Sequence, residues 1–381
     1  MAYGRFTMAI TVEEIPDTKL SAFINYPYSL FRKHPFWVGE LKKDTHHLLG
    51  SGHPFWRHSE RKLFMAFNTS AGGTKPAGRI AAIINSQHNS FHEEKCGFFG
   101  FFDCVNNPEA AAALFGAACN WLKEKGMDIA RGPVNPSTNE TCGMLLEGFD
   151  SPPMVRMPYN PPYYLKLTEE AGFAKAKDLY AFKCMTADGF PQRLEKIADR
   201  AMRGLNISIE LIDMKNFKRV AAEFKDIYNS AWKKNWSFVP MTDAELDDMA
   251  GSLRPVLKPD YLFFARVDGK PAGAALLLPD LNIPLAAAHG ALNLFNILPF
   301  LWKKKFSMNR GRMLTLGVKK EFRNRGLEIL LIKQGLAAAK KMGWEYGEVS
   351  WTLEDNDKIN NPIKAMGATI YKKYRIYEKK L

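Results

Sequence analysis

Residues 316–328 read LGVKKEFRNRGLE. Leu316, Gly317 and Val318 end an apolar strand candidate at residues 313–318, the following residues are mostly basic, and Gly326 stands where a helical pattern begins at Leu327. The first turn of a helix leaves N–H groups without intrahelical acceptors, and the helix dipole adds positive potential there. A helix start reached through a basic turn with a glycine therefore suits a phosphate or pyrophosphate. The three-glycine dinucleotide spacing and the Gly-Lys-Ser/Thr of a P-loop are both absent.

Working outward, the strand at 313–318 leads to a helix at 327–342, a stop at Gly343 after Lys340 and Lys341, and a strand at 344–352. The same order occurs earlier. A buried strand at 97–105 precedes an amphipathic helix at 107–125, whose Ala111, Leu114, Phe115, Ala118, Trp121 and Leu122 share one face. Asn107 supplies its cap, Pro108 its first turn and Gly126 its stop, ahead of a strand at 127–130. Both halves then close with a glycine, Gly172 and Gly367, before a last strand region. This repeat predicts two domains of comparable size in the 381 residues, 1–187 and 188–381. The stop and closing glycines are 46 residues apart in the first half and 24 in the second. The surplus falls in residues 131–164, which hold seven of the 22 prolines and read as a fixed, irregular excursion. It serves either as a wall or lid over a ligand cleft or as cover for a sheet edge.

The segment resembles the signature of the GNAT acyl-CoA N-acyltransferases, a strand followed by Arg/Gln-x-x-Gly-x-Gly/Ala at a helix start. Arg323, Asn324, Arg325 and Gly326 match its first part, Val318 ends the strand, and Glu328 departs from the family's second small residue. Downstream, GEVSWTLEDN at 347–356 and NNPIKAMG at 360–367 look like the second cofactor-side strand, its Asn356 and the short helix before the late glycine. The resemblance covers residues 260–381 and, more weakly, 60–183, where Val105, Asn106, Asn107 and Pro108 replace the basic glycine turn. It implies an α/β (α+β mixed-sheet) chain of two GNAT-like domains, each a twisted mixed sheet flanked by helices, with a degenerate cofactor loop in the first. It further implies acetyl-CoA or a longer acyl-CoA as co-substrate, held by Leu316, Gly317, Val318, Arg323, Asn324, Arg325, Gly326, Leu327 and Asn356, with no metal.

In the mechanism so implied an amine attacks the thioester directly. Amines of the lysine type have a pKa of about 10.4 and thiols about 8.5, so a base is needed more than an acid. Backbone N–H groups of residues 316–318 are expected to hold the thioester oxygen. Glu348 is the expected base, with Glu354 second. Many family members place a tyrosine four residues before the late glycine to protonate the thiolate, but here that position is Ile363, and Tyr374 is the nearest substitute. The expected acceptor is a small-molecule or lipid-linked amine, and the apolar run at 281–302 either lines its pocket or packs in the core. Two other classes share parts of this pattern: a tRNA-dependent aminoacyl transferase of the Fem type, and an acyl-CoA sensor without turnover.

The composition narrows the field further. Fifty-three Lys and Arg against 40 Asp and Glu give a formal charge of +13, which favours anionic ligands or surfaces. No nucleic-acid-binding signature accompanies it, so DNA is not expected and RNA is only a secondary partner class. The aromatics Trp351, Tyr371, Tyr374 and Tyr377 either stack on bases or alternate along strands. Five cysteines, Cys96, Cys104, Cys119, Cys142 and Cys184, lack a framework spacing and fit a reducing compartment. Acidic Glu13, Glu14 and Asp17 argue against a signal peptide, and the apolar residues 272–302 are too interrupted for a transmembrane span. A cytoplasmic location follows. His88, His92 and Cys96 have a spacing that a helix would bring to one face, but Asn89, Ser90 and Gly97 predict a turn there, and no metal is assigned. No Gly-x-Ser-x-Gly elbow supports a serine nucleophile.

Overall fold

The computed structural model describes residues 9–70, 73–204 and 206–381; of the N-terminal stretch read for a signal peptide, residues 1–8 lie outside them. The chain has the expected α/β character, with mixed sheets flanked by helices. It divides into two compact units, though not by a single cut. One holds the chain up to Asp178 together with Leu285–Ile297 and Tyr374–Leu381, and the other holds Leu179–Pro284 and Leu298–Lys373.

In the first unit, strands Ala9–Glu14, Ser59–Ser70, Gly73–Asn85 and Cys96–Cys104 pair antiparallel in that order. Cys96–Cys104 then runs parallel to Ile129–Gly132. Parallel neighbours need a crossover, and helix Pro108–Glu124 provides it, burying Ala110, Ala111, Leu114 and Leu122. The Asn107 side-chain oxygen accepts hydrogen bonds from the N–H groups of Glu109, at 2.8 Å, and Ala110, at 3.2 Å. Asn107→Ala is expected to cost about 1 kcal/mol of stability, measurable as a lower urea midpoint with an unchanged slope.

The proline-rich excursion is fixed in this core: Val134, Cys142, Met144, Leu145 and Met154 are all buried. Gly100 lets it approach, since a Cβ there would lie 1.7 Å from the Val134 carbonyl oxygen. Residues 86–92 correct the sequence reading. They form a helix, Ser86–His92, because the Asn85 side chain caps the His88 N–H at 3.0 Å and Glu93 ends the helix at φ +55°.

The second unit repeats the plan. Ile207–Leu211, Leu262–Val267, Lys270–Pro279 and Arg310–Val318 pair antiparallel, Tyr346–Leu353 runs parallel to Arg310–Val318, and helix Leu327–Lys341 crosses between them. That helix packs Leu327 and Leu331 on a core containing Phe263, Ala275 and Leu277.

The closing strands are used crosswise. Residues 377–380 at the end of strand Thr369–Lys380 pair with Ile129–Gly132 in the first unit. Residues 179–185 at the end of strand Ala174–Met185 pair with Tyr346–Leu353 in the second. Residues 281–302 include helix Asn282–Ala288 and most of helix Ile297–Phe306, and the large apolar side chains from Leu292 onward are mostly exposed, not packed in the core.

Candidate active site

Everything in this site belongs to the second unit. Arg310–Val318 and Tyr346–Leu353 pair from Arg310↔Tyr346 to Met313↔Val349, and then the pairing stops. On its other side Arg310–Val318 stays paired through Leu316↔Ala275, Gly317↔Ala274 and Val318↔Gly273. The Lys319 N–H donates to the Ala272 carbonyl at 2.8 Å. Antiparallel hydrogen bonds alternate, so the Gly317 N–H is spent on that ladder, while those of Leu316 and Val318 point into the opening between the parted strands. Such preset donors are what an oxyanion requires. Gly317 has a packing role as well, because a Cβ there would lie 2.3 Å from the Trp232 indole. Thr315 and Thr352, one on each parted strand, bury hydroxyl oxygens that lack a hydrogen-bond partner among the described residues. A buried orphan of this kind costs about 1–3 kcal/mol, so a ligand's polar group would be favoured there.

The turn after Val318 reaches Gly326, which adopts φ +81° directly before helix Leu327–Lys341. The first intrahelical bond at this end is Leu330 N–H to the Gly326 carbonyl, at 3.1 Å. The N–H groups of Leu327, Glu328 and Ile329 therefore have no acceptor within the helix. Arg323 does not point its charge at them alone: its Nε donates to the Val318 carbonyl at 3.1 Å and its Nη2 to the Ala231 carbonyl. It braces the turn. Asn324, at φ +61°, and Arg325 are exposed, as are Lys320 and Glu321 earlier in the turn. Glu328, half-buried, occupies the first helical turn. Asn356 begins helix Asp357–Ala365 without a side-chain capping bond.

Glu348 is fully buried beside the start of the strand opening. Ser350 Oγ donates to its Oε1, and Tyr371 OH donates to its Oε2. Buried Arg312 lies 3.7 Å from Oε1 and donates to Ser350 Oγ at 2.8 Å and to the Ser350 carbonyl at 3.0 Å. Burial pushes the Glu348 carboxyl above the usual carboxylate range, against the opposing pull of Arg312, Ser350 and Tyr371. Tyr371, unlike Glu348, is only half-buried. In the sequence Tyr371 reads as one of several strand aromatics, although its odd spacing from Tyr374 places the two on opposite faces.

Several other candidates lie elsewhere. Tyr374 is fully buried and belongs to the first unit, as does buried Tyr377, so neither offers a face for base stacking. Among the described residues no cysteine is in a disulfide, and burial raises the Cys96 and Cys104 thiols to about 12, far from thiolate character at neutral pH. His88 shares a 2.6 Å contact with Glu94, which also binds Arg131 at 2.8 Å. Burial lowers the His88 pKa, so Arg131 is the charged partner of Glu94 in this cluster.

No family model matches the chain. A bacterial ceramide synthase of Caulobacter vibrioides is 35% identical over 372 residues, covering 95% of each chain. The Escherichia coli protein YghO is 32% identical over 368 residues, covering 95% of this chain and 93% of its own. Among solved structures, a tandem GNAT protein from the clavulanic acid biosynthesis pathway superposes with a TM-score of 0.59 at 11% identity, covering 98% of both chains. The fold is thus the tandem GNAT fold expected from residues 316–328.

Proposed function

The chain belongs to the family of the bacterial ceramide synthase of Caulobacter vibrioides and of YghO, and from that premise we propose that it transfers a long acyl group from acyl-CoA to the amino group of a long-chain amine. A ceramide is the amide of a fatty acid with a long-chain amino alcohol, so this acceptor class follows from the relative's name. The observation that carries the reaction type is the parting of the strands after Met313 and Val349, with the N–H groups of Leu316 and Val318 facing the opening beside the Gly326 helix start.

In this reading the turn at residues 323–327 takes the CoA phosphates and the opening takes the thioester. The amine nitrogen attacks the carbonyl carbon, and the N–H groups of Leu316 and Val318 hold the developing oxyanion. The C–S bond breaks and the thiolate leaves. The proton lost by the amine passes through the Tyr371 hydroxyl to Glu348 and then to the departing sulfur, whose modest basicity makes it the easier partner.

The test is direct: purified chain is incubated with palmitoyl-CoA or acetyl-CoA and either sphinganine or a small primary amine. Thiol release and the mass of the amide are then followed. Palmitoyl transfer to sphinganine is the expected outcome. Amide formation only from acetyl-CoA and the small amine would remove the lipid acceptor, and no amide from any pairing would remove acyl transfer.

A further inference from the structure

Helix Ile297–Phe306 contains no buried residue. Four of its apolar side chains, Leu298, Leu301, Trp302 and Phe306, stand at i, i+3, i+4 and i+8 and share one side of the helix with Lys305, while Phe300 lies on the other side. On a globular protein a stripe of that spacing normally faces the core. Here it faces outward: Leu298 is 72% exposed, Trp302 61% and Phe306 62%. The Trp302 and Phe306 rings contact each other, 5.9 Å between centroids. Just before the helix, Leu294 and Phe295 are 90% and 94% exposed. Exposed apolar surface this concentrated marks a binding face.

The charge around the stripe selects its partner. Lys303, Lys304 and Lys305 follow one another in the last turn, and no acidic residue occurs between Asp280 and Glu321. Among the described residues none of these three lysines is in an ion pair, and the Lys305 ammonium lies 5.0 Å from the Phe306 ring centre. Arg310, by contrast, is neutralised by Asp280 at 2.7 Å. Three unpaired cations beside a Trp and Phe stripe match the two layers of a bilayer surface, anionic headgroups over acyl chains, with aromatic rings at the boundary. A ten-residue helix is about 15 Å long, half of the roughly 30 Å hydrocarbon core, so it lies in the interface and does not cross.

We propose that helix Ile297–Phe306 docks the protein on the surface of an anionic phospholipid bilayer. The proposal uses none of the residues placed in the turn at 323–327 or in the strand opening, so its failure leaves the acyl-transfer reading standing. It is tested by sedimenting the full-length chain with vesicles of phosphatidylcholine doped with phosphatidylglycerol, and with vesicles of phosphatidylcholine alone. Wild type is expected to bind the doped vesicles preferentially. One lysine near an anionic surface is worth about a fivefold change in partitioning, so the triple change Lys303→Gln, Lys304→Gln and Lys305→Gln is expected to weaken binding by roughly 100-fold. Leu298→Ser, Trp302→Ser and Phe306→Ser together are expected to weaken it at least tenfold. All six side chains are exposed or half-buried, so both variants should keep the wild-type melting temperature and CoA titration. Absence of wild-type binding to doped vesicles would overturn the proposal. So would binding that neither variant reduces, or a wild-type dimer that the apolar triple variant converts to monomer, which would assign the stripe to a second copy.

Discussion

Arg325→Glu is expected to weaken CoA binding by well over tenfold at unchanged melting temperature, and Gly326→Val is expected to abolish measurable binding. Arg325 is exposed and joins the turn that leads into the free N–H groups of Leu327, Glu328 and Ile329. Reversing its charge places repulsion where phosphates must approach and gives up only an exposed contact, the guanidinium 5.8 Å from the centre of the Phe322 ring. Gly326 acts through the backbone. Its φ of +81° is one that a β-branched residue adopts only under strain, and a Cβ would stand 3.0 Å from that of Ala201. Valine therefore distorts the helix start, both through its backbone and by crowding Ala201 and Ile197. Arg323→Ala separates bracing from binding, because it withdraws donors from the Val318 and Ala231 carbonyls and should lower the melting temperature as well as the affinity. Calorimetric titrations with CoA measure all three. Wild-type affinity in folded Arg325→Glu and Gly326→Val chains would move the phosphate site away from this turn.

Much of the second unit's frame was legible because local signals agreed there. The basic turn, the glycine and the apolar period of residues 327–341 all point to a strand–helix–strand crossover, and that crossover forces the parallel pair whose parting makes the opening. The first unit was legible for the same reason: Asn107, Pro108 and Gly126 mark both ends of its crossover helix. What escaped was set by long-range choices. Strands Ala174–Met185 and Thr369–Lys380 carry similar alternating patterns after similar glycines, and nothing local says which sheet each will extend. The helix at Ser86–His92 was hidden because Asn89, Ser90 and the nearby Gly97 read as a turn, whereas the Asn85 cap decides the conformation. The outward stripe at Leu298–Phe306 has the period of a core helix, and only the three-dimensional structure shows that no core meets it. In the sequence Glu348 stands out only by its strand position. Its seal of Ser350, Tyr371 and Arg312 depends on three chain segments that composition does not bring together.

Glu348→Gln is expected to cut the acylation rate by about 100-fold or more while leaving CoA affinity intact, the signature of a lost base. Glutamine keeps the shape of the side chain and one acceptor oxygen, enough for the donor at one of the two positions held by Ser350 and Tyr371, while its amide N–H group must donate at the other; it takes no proton. The base works as a carboxylate and burial holds its pKa high. The wild-type rate should therefore rise with pH through that raised value, and the Gln variant should lose this limb. The stability consequence runs the other way. A carboxyl whose folded pKa lies above its unfolded one contributes stability that is full below the unfolded value and is lost as pH rises through the folded one. Wild type should thus lose more stability than Glu348→Gln between acidic and neutral pH. A purely structural Glu348 would shift the melting temperature without moving the rate profile. Tyr371→Phe completes the test, because it removes only the hydroxyl that donates to the Glu348 carboxylate. If that hydroxyl relays the proton, the Phe variant should approach the Gln variant in rate, and combining the two should cost little more than either alone. A Phe variant with wild-type rate from pH 6 to 9, beside a crippled Gln variant, would leave Glu348 as base and remove Tyr371 from the path.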